Sequence, residues 1–295
     1  MLILNEEKYA KNIYDGKNQE IKSILPKIGY ITRYFLYVCN MNDEDNYKAS
    51  VDWMNKHHDN FDESYYANLI SDAIKKAHKR PFYNIKSIVI TKSELDIISS
   101  LDNLRAEKVL FVLLCMAKQQ RKSSGFTNGL VKYSITELCK MARISVPAED
   151  REYILYNIIQ HGFLGYPKKN NTQCLIVNFI NDEDEVVLNL DEVDCQELAY
   201  VYLNWKNKGK GYTRCQKCNR LIKQSKTKPR KYCEECAKYE PIGEKIVVCV
   251  DCDVEFKVDA KDTESCRCIQ CREKHQKKIK SEQNRRYYQS KKQIQ

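Results

Sequence analysis

This 295-residue chain is short of the residues on which hydrolytic and nucleotide chemistry usually rests. It has five histidines and nine glycines. His57 and His58 adjoin in a polar stretch, while His78, His161 and His275 stand alone. No histidine pair sits at metal-ligand spacing with a carboxylate, and no glycine-rich loop is there to cradle a phosphate. A zinc-containing nuclease or primase finds little support, and we expect no catalytic residue. Long apolar runs are missing too. The longest extends from Val109 to Ala117, far too short to span a bilayer. After Met1-Leu2-Ile3-Leu4 the chain turns charged at Glu6-Glu7-Lys8, unlike a secretory leader. The expectation is a cytoplasmic protein with no membrane partner and no small-molecule substrate, in which thiols stay reduced.

Cysteine, by contrast, is abundant: there are 14, and eight of them form four Cys-x-x-Cys pairs in the last third. Cys215 and Cys218 are followed by Cys233 and Cys236; Cys249 and Cys252 are followed by Cys268 and Cys271. Sliding the first set forward by 34 or 35 residues lands it on the second, the mark of a duplicated unit. Two cysteines three apart offer both sulfurs to one ion from a tight turn, and a second such turn completes a tetrahedron. The expectation is two structural zinc ions in two zinc ribbons, each too small to hold itself together by apolar burial alone. Eight sulfur ligands point to closed sites, because catalytic zinc keeps a position open for water. Sequential pairing is favoured over a cross-braced arrangement, and zinc over iron or an iron–sulfur cluster. Cys266 stands two before Cys268 and competes for the second site; Cys268 preserves the repeat. Cys39, Cys115, Cys139, Cys174 and Cys195 are expected to be buried thiols.

Charge is segregated. From Lys206 onward there are 25 basic against 12 acidic side chains, leaving 25 against 28 before it. Two four-thiolate zinc sites trim the C-terminal balance of +13 to about +9. A positive segment of that kind steers toward a polyanion. From Arg272 to Tyr288 a helix is expected that is basic around most of its surface. Its Arg285 and Arg286 stand beside Tyr287 and Tyr288, joining phosphate-pairing groups to rings that stack on bases. A disordered solubilising tail is the rival reading.

The apolar periodicity predicts a mainly α N-terminal part, then a winged helix-turn-helix (α+β), then the two tandem four-cysteine zinc ribbons and the basic C-terminal helix. The boundaries are a helical domain over 1–90, a winged-helix-like domain over 91–205, ribbons over 206–240 and 241–272, and the tail over 273–295. In the first block, helices are expected around Glu20–Cys39, Asp43–His57 and Glu63–Lys79, with breaks near Asn42 and Asp59. In the second, helix Leu104–Gln119 precedes a short strand from Leu130 to Tyr133. A helix capped by Ser134 comes next, then one opened by Ser145 and Pro147 and ended by Gly162. Strand-like runs Phe163–Tyr166 and Cys174–Ile180 flank a turn at Pro167–Asn171. A third run at Val186–Leu190, a helix around Cys195–Trp205 and a linker from Lys206 to Gly211 complete the block. In the second ribbon, Val254, Phe256 and Val258 alternate with charged neighbours as a half-exposed strand does.

Ile90-Thr91-Lys92-Ser93-Glu94-Leu95, Leu113-Leu114-Cys115-Met116-Ala117-Lys118 and Leu138-Cys139-Lys140-Met141-Ala142-Arg143 carry a resemblance that ends at His161-Gly162-Phe163-Leu164. With these residues, and with the Cys215-Gln216-Lys217-Cys218 ribbon following in the same order, Ile88–Ile180 resembles the winged-helix region of uncharacterised proteins from bacteriophages and mobile elements of low-GC Gram-positive bacteria. The resemblance implies a mobile-element protein with a winged helix and zinc ribbons, and no established activity.

These features point to a DNA-binding factor, with DNA favoured over RNA, acting in transcription or replication control. Lys217, Arg220, Lys223, Lys226, Lys228, Arg230 and Lys231 would line the first ribbon's phosphate-contacting face. Lys274, Lys277, Lys278, Lys280, Arg285 and Arg286 would extend it. A winged helix reads DNA with its last helix, yet here that helix begins Pro147-Ala148-Glu149-Asp150-Arg151-Glu152. Its carboxylates complement the macrodipole and oppose phosphate, leaving Lys168 and Lys169 in the wing as DNA contacts. The alternative is a protein adaptor that binds host RNA polymerase or a replication component.

Overall fold

A computed structural model describes residues 2–17, 23–58, 61–125, 127–168, 174–225, 227, 229–238, 244–259, 262 and 264–293. The chain is mixed α/β and divides into two compact units, Met1–Cys233 and Glu234–Gln295.

The first unit begins with four helices: α1 (Glu6–Tyr14), α2 (Ile24–Tyr37), α3 (Asp43–His57) and α4 (Glu63–Ala77). Their starts follow the local chemistry. The side chains of Asn5, Asn42 and Asp62 accept from the backbone N–H of Lys8, Asp45 and Ser64, satisfying donors that a helix start leaves open. The acidic stretch after Asn42 is thus the first turn of α3. Ile13, Ile31, Met54 and Ile70 meet in an apolar core. Beside it the buried Glu6 carboxylate pairs with Arg33 at 2.9 Å, and the guanidinium lies between the rings of Tyr30 and Phe82. Helix α1 falls within the block expected to be helical but outside its three expected helices, and it buries only Glu6, Ala10 and Ile13. Residues 18–22 and the break at Asp59 lie outside the described residues.

A second core follows. Its elements are β1 (Ile88–Thr91), α5 (Lys92–Ser99), α6 (Leu104–Ser124), β2 (Leu130–Lys132), α7 (Ile135–Met141), α8 (Ala148–Gln160), β3 (Leu164–Gly165), β4 (Cys174–Val177) and β5 (Val186–Leu190). A 3-10 turn, Asp194–Gln196, leads into α9 (Leu198–Lys206). Helix α6 forms the centre, fully buried from Val109 to Cys115. It runs past the expected Gln119 because Gly125, at φ +70°, supplies the left-handed cap that stops it. Ser134 precedes α7 but makes no side-chain capping bond. Strands β2, β4 and β3 form an antiparallel sheet in the order β2-β4-β3. A Cβ on Gly129 would come within 2.4 Å of the Val177 carbonyl oxygen, so that approach needs glycine. Of the expected turn at Pro167–Asn171, only Pro167 and Lys168 are described.

Strand β5 does not extend this sheet. It pairs antiparallel with β1, Ile88 opposite Leu190, and Leu2 and Leu4 join the same core. Below β1, Lys118 is 3% exposed and its Nζ contacts Glu94 at 2.8 Å, Asp182 at 2.9 Å and the Val89 carbonyl at 2.9 Å. Glu94 also accepts from the backbone N–H of Thr91 and Asn181. The run Asp182-Glu183-Asp184-Glu185 is a bend whose Asp182 also pairs with Arg121, in keeping with a turn. Cys115, Cys139, Cys174 and Cys195 are buried, whereas Cys39 is exposed because it lies past the C-cap of α2, Val38, beyond the helix's packed face.

The first unit ends with β6 (Tyr212–Arg214) and β7 (Leu221–Lys223), an antiparallel pair whose Leu221 belongs to the second core. The second unit comprises α10 (Glu234–Lys238), β8 (Glu244–Val248), β9 (Glu255–Asp259) and α11 (Ile269–Gln293). Strands β8 and β9 are antiparallel, Val247 opposite Phe256. Phe256 and Val258 are half-buried while Glu255 and Lys257 are exposed, but Val254 precedes β9 and is more than half exposed, so the expected alternation holds only from Glu255 to Val258.

Breaking the buried pair leaves Lys118 short of its main counter-charge. Glu94→Ala should destabilise the protein by about 3–5 kcal/mol, measured as a lower urea midpoint at unchanged slope.

Candidate metal centres

The eight paired cysteines converge as two groups. Cys215, Cys218, Cys233 and Cys236 form one and Cys249, Cys252, Cys268 and Cys271 the other, with the sulfurs of each group within 4.8 Å of one another. The grouping is sequential, not cross-braced. These are the metal-capable clusters found among the described residues.

The duplication visible in the cysteine spacing extends to the backbone. In the first knuckle, Asn219 takes φ +60° and donates its N–H to the Cys215 carbonyl, while the Cys215 N–H donates to Arg220. In the second, Asp253 takes φ +55° and donates to Cys249, and Cys249 donates to Val254. Asn and Asp are the side chains that tolerate this left-handed conformation best after glycine. Each opposing pair opens a helix: Cys233 directly precedes α10 and Cys268 directly precedes α11. The N–H of Cys233 donates to the Cys215 sulfur and that of Cys268 to the Cys249 sulfur, both at 3.3 Å.

The repeat also assigns Cys266. Gln216 N–H donates to the Lys231 carbonyl, and its counterpart Val250 donates to the Cys266 carbonyl. Cys266 therefore occupies the place of Lys231, contributing backbone, with an exposed side chain outside the four-sulfur group.

A tetrahedral zinc with Zn–S bonds of about 2.3 Å needs sulfurs about 3.8 Å apart. Cys218 and Cys233 stand 3.7 Å apart, as do Cys252 and Cys268. The donor set and spacing fit zinc. Burial pushes the Cys215 thiol up, but backbone N–H donors, that of Cys233 foremost, outweigh it and hold it at about 6. Cys249 is held at about 6 by the same balance. Cys271 is pushed up to about 12, first by its hydrogen bond with Cys252 and then by Cys268. A bound cation would stabilise all four sulfurs of such a cluster as thiolates.

The two centres differ in surroundings. The first adjoins the core through Leu221, and Arg214 pairs with the buried Asp194 at 3.0 Å. Arg220 is half-buried and donates to the Gln196 side chain at 2.7 Å, a bond within the fold that the sequence did not foretell. Tyr212 packs against Tyr200. In the second, Cys249 is buried, Cys252 is exposed, and Ile246, Val248 and Val254 are each more than half exposed.

Lys217, Lys223, Arg230 and Lys231 are exposed around the first centre, and Lys168 is exposed beyond β3. Lys169, Lys226 and Lys228 lie outside the described residues, as does the Arg286 side chain. Lys274, Lys277, Lys278, Lys280 and Arg285 are all exposed on α11. Helical spacing gathers Lys274, Lys277, Lys278 and Arg285 on one face, with Lys280 to one side. On α8, Glu149, Asp150, Glu152, Tyr153 and Tyr156 are exposed together. The tyrosines were not singled out from sequence, since their spacing alone does not separate core from surface.

Comparison of the chain with protein-family models, curated proteins and solved structures gives no match.

Purified protein should carry about two zinc ions, and Cys218→Ser or Cys252→Ser should each lower the metal count by one. Under chelation, hydrogen exchange should rise sharply over β8 and β9. Strands β6 and β7 should keep more protection, since Leu221 holds them on the core.

Proposed function

We propose that this chain is a nucleic-acid-binding protein organised by structural zinc, and not an enzyme. It would act on DNA in transcription or replication control of a phage or other mobile element, the last point resting on the resemblance. The observation that carries the proposal is the relation of metal site to charge. Cys271, a member of the second sulfur group, lies in the first turn of α11, and that helix continues as a row of exposed cations. Binding a metal thus fixes the root of a positively charged rod. Polyanion binding gains from such a rod through phosphate contacts and counterion release. All-sulfur ligand sets with four members leave no open position for a reacting water, which favours a structural ion.

The order α6, β2, α7, α8, β3, β4, with its three-stranded sheet, supports reading residues 104–177 as a winged helix. Its last helix is α8, and exposed Glu149, Asp150 and Glu152 give that helix the wrong sign for phosphate. This favours a second reading for α8, as a docking face for a protein such as a host polymerase or replication component. Exposed Tyr153 and Tyr156 are side chains enriched at such interfaces.

Log affinity for duplex DNA should fall steeply with log salt. Replacing Lys274, Lys277, Lys278 and Lys280 by alanine in the full-length protein should flatten that slope by about 3–4. A slope near zero in the unaltered protein would overturn the proposal; a pull-down that survives nuclease treatment would support the adaptor reading.

A further inference from the structure

The second unit contains a cleft of about 620 Å³ beside its cysteine centre, between β9 and the start of α11. Val254, Phe256, Val258 and Ile269 supply apolar wall. Phe256 is unusual in this chain. Phe35, Phe61, Phe82, Phe111, Phe163 and Phe179 each contact another aromatic ring. Among the described residues, Phe256 has no ring neighbour, and it is half-buried in the wall of an open cleft.

The rest of the lining is polar and includes two cations. Lys257 and Arg272 stand at the cleft with Gln270, whose amide offers both a donor and an acceptor. Arg272 donates to the Ser265 hydroxyl at 2.9 Å. The one lining carboxylate, Asp262, accepts from the N–H groups of Glu264 and Ser265 and so is engaged with its own loop. From Arg272 the exposed cations of α11 continue directly away.

We infer that this cleft seats an unpaired base of single-stranded nucleic acid, with Phe256 as its stacking surface. The inference rests on the nucleic-acid reading above and narrows it to a form of substrate. An isolated ring flanked by cations matches how proteins hold single strands: a base stacks on the aromatic face while the phosphates on either side meet Lys and Arg. Gln270 adds an amide able to bond a base edge. A base inside a duplex is covered on both faces and cannot enter such a cleft, whereas a splayed base of a single strand does so without first being unstacked.

The test uses the full-length, zinc-loaded protein with a short oligothymidylate and the matching duplex, read by fluorescence anisotropy at one salt concentration. The single strand should bind about tenfold more tightly. Phe256→Ala should lose about that factor for the single strand while duplex affinity and zinc count stay unchanged, and Phe256→Trp should retain it. If Phe256→Ala loses its second zinc, photocrosslinking of unaltered protein to an oligonucleotide carrying 5-iodouracil decides. An adduct on the Phe256 peptide supports the cleft, and adducts confined to α11 overturn it. Duplex binding as tight as that of the single strand, with a silent Phe256, sinks this inference alone. No binding of either probe at low salt sinks the broader reading together with it.

Discussion

The second sulfur group gathers four thiols within 4.8 Å of one another, and a divalent ion is what would hold four thiolates together at that distance. Within the second sulfur group, Cys249 is held at about 6 while Cys271 is pushed up to about 12. These two thiols are chemically identical and belong to one cluster. Despite burial, backbone N–H donors favour a thiolate at Cys249, while the neighbouring sulfurs of Cys252 and Cys268 oppose one at Cys271. A divalent ion reverses the balance by making every thiolate a ligand. Binding such an ion would tie the β8–β9 hairpin to the first turn of α11. Without it, α11 has almost no apolar stripe with which to pack.

The two centres share their knuckle and differ in what else holds them. The first has a route to stability that does not pass through metal. Leu221 lies in the second core, Arg214 reaches the buried Asp194, and Tyr212 packs on Tyr200. By the size argument each ribbon should lean on metal equally, but burial of Leu221 lends the first hairpin support from a far larger core. The second exposes Ile246, Val248 and Val254. Duplication reproduced the coordination geometry; the sequence around it then gave one copy an anchor and left the other with open apolar surface.

How much of this is legible in the sequence depends on the range of the interaction. The knuckles are short-range. Cysteine spacing, with Asn219 and Asp253 at matching places, fixes a turn within five residues, and Cys266 yields to Cys268 once the repeat is followed. Helix α6 is legible from its apolar stripe, although Gly125 and not Gln119 marks its end. The β1–β5 pairing is not legible, because Ile88 and Leu190 must find each other across about a hundred residues and neither strand is distinctive alone. Nor is the role of Glu94, Lys118 and Asp182. Each sits in an ordinary polar context in sequence, and only the fold brings them to one buried point.

The two proposed readings rest on different elements, exposed carboxylates and tyrosines on α8 and exposed cations on α11. Glu149 and Asp150 in the first turn of α8 have a structural purpose in complementing the helix dipole. Glu152, Tyr153 and Tyr156 lie beyond that turn, are exposed, and gain nothing from it. A phosphate approaching this face meets carboxylates whose repulsion is strongest at low salt, where attraction to α11 is also strongest. On the proposed reading, lowering the ionic strength would favour a polyanion on α11 and disfavour one on α8. On the same proposal the acidic face of α8 would suit a cationic protein surface and not a phosphate backbone.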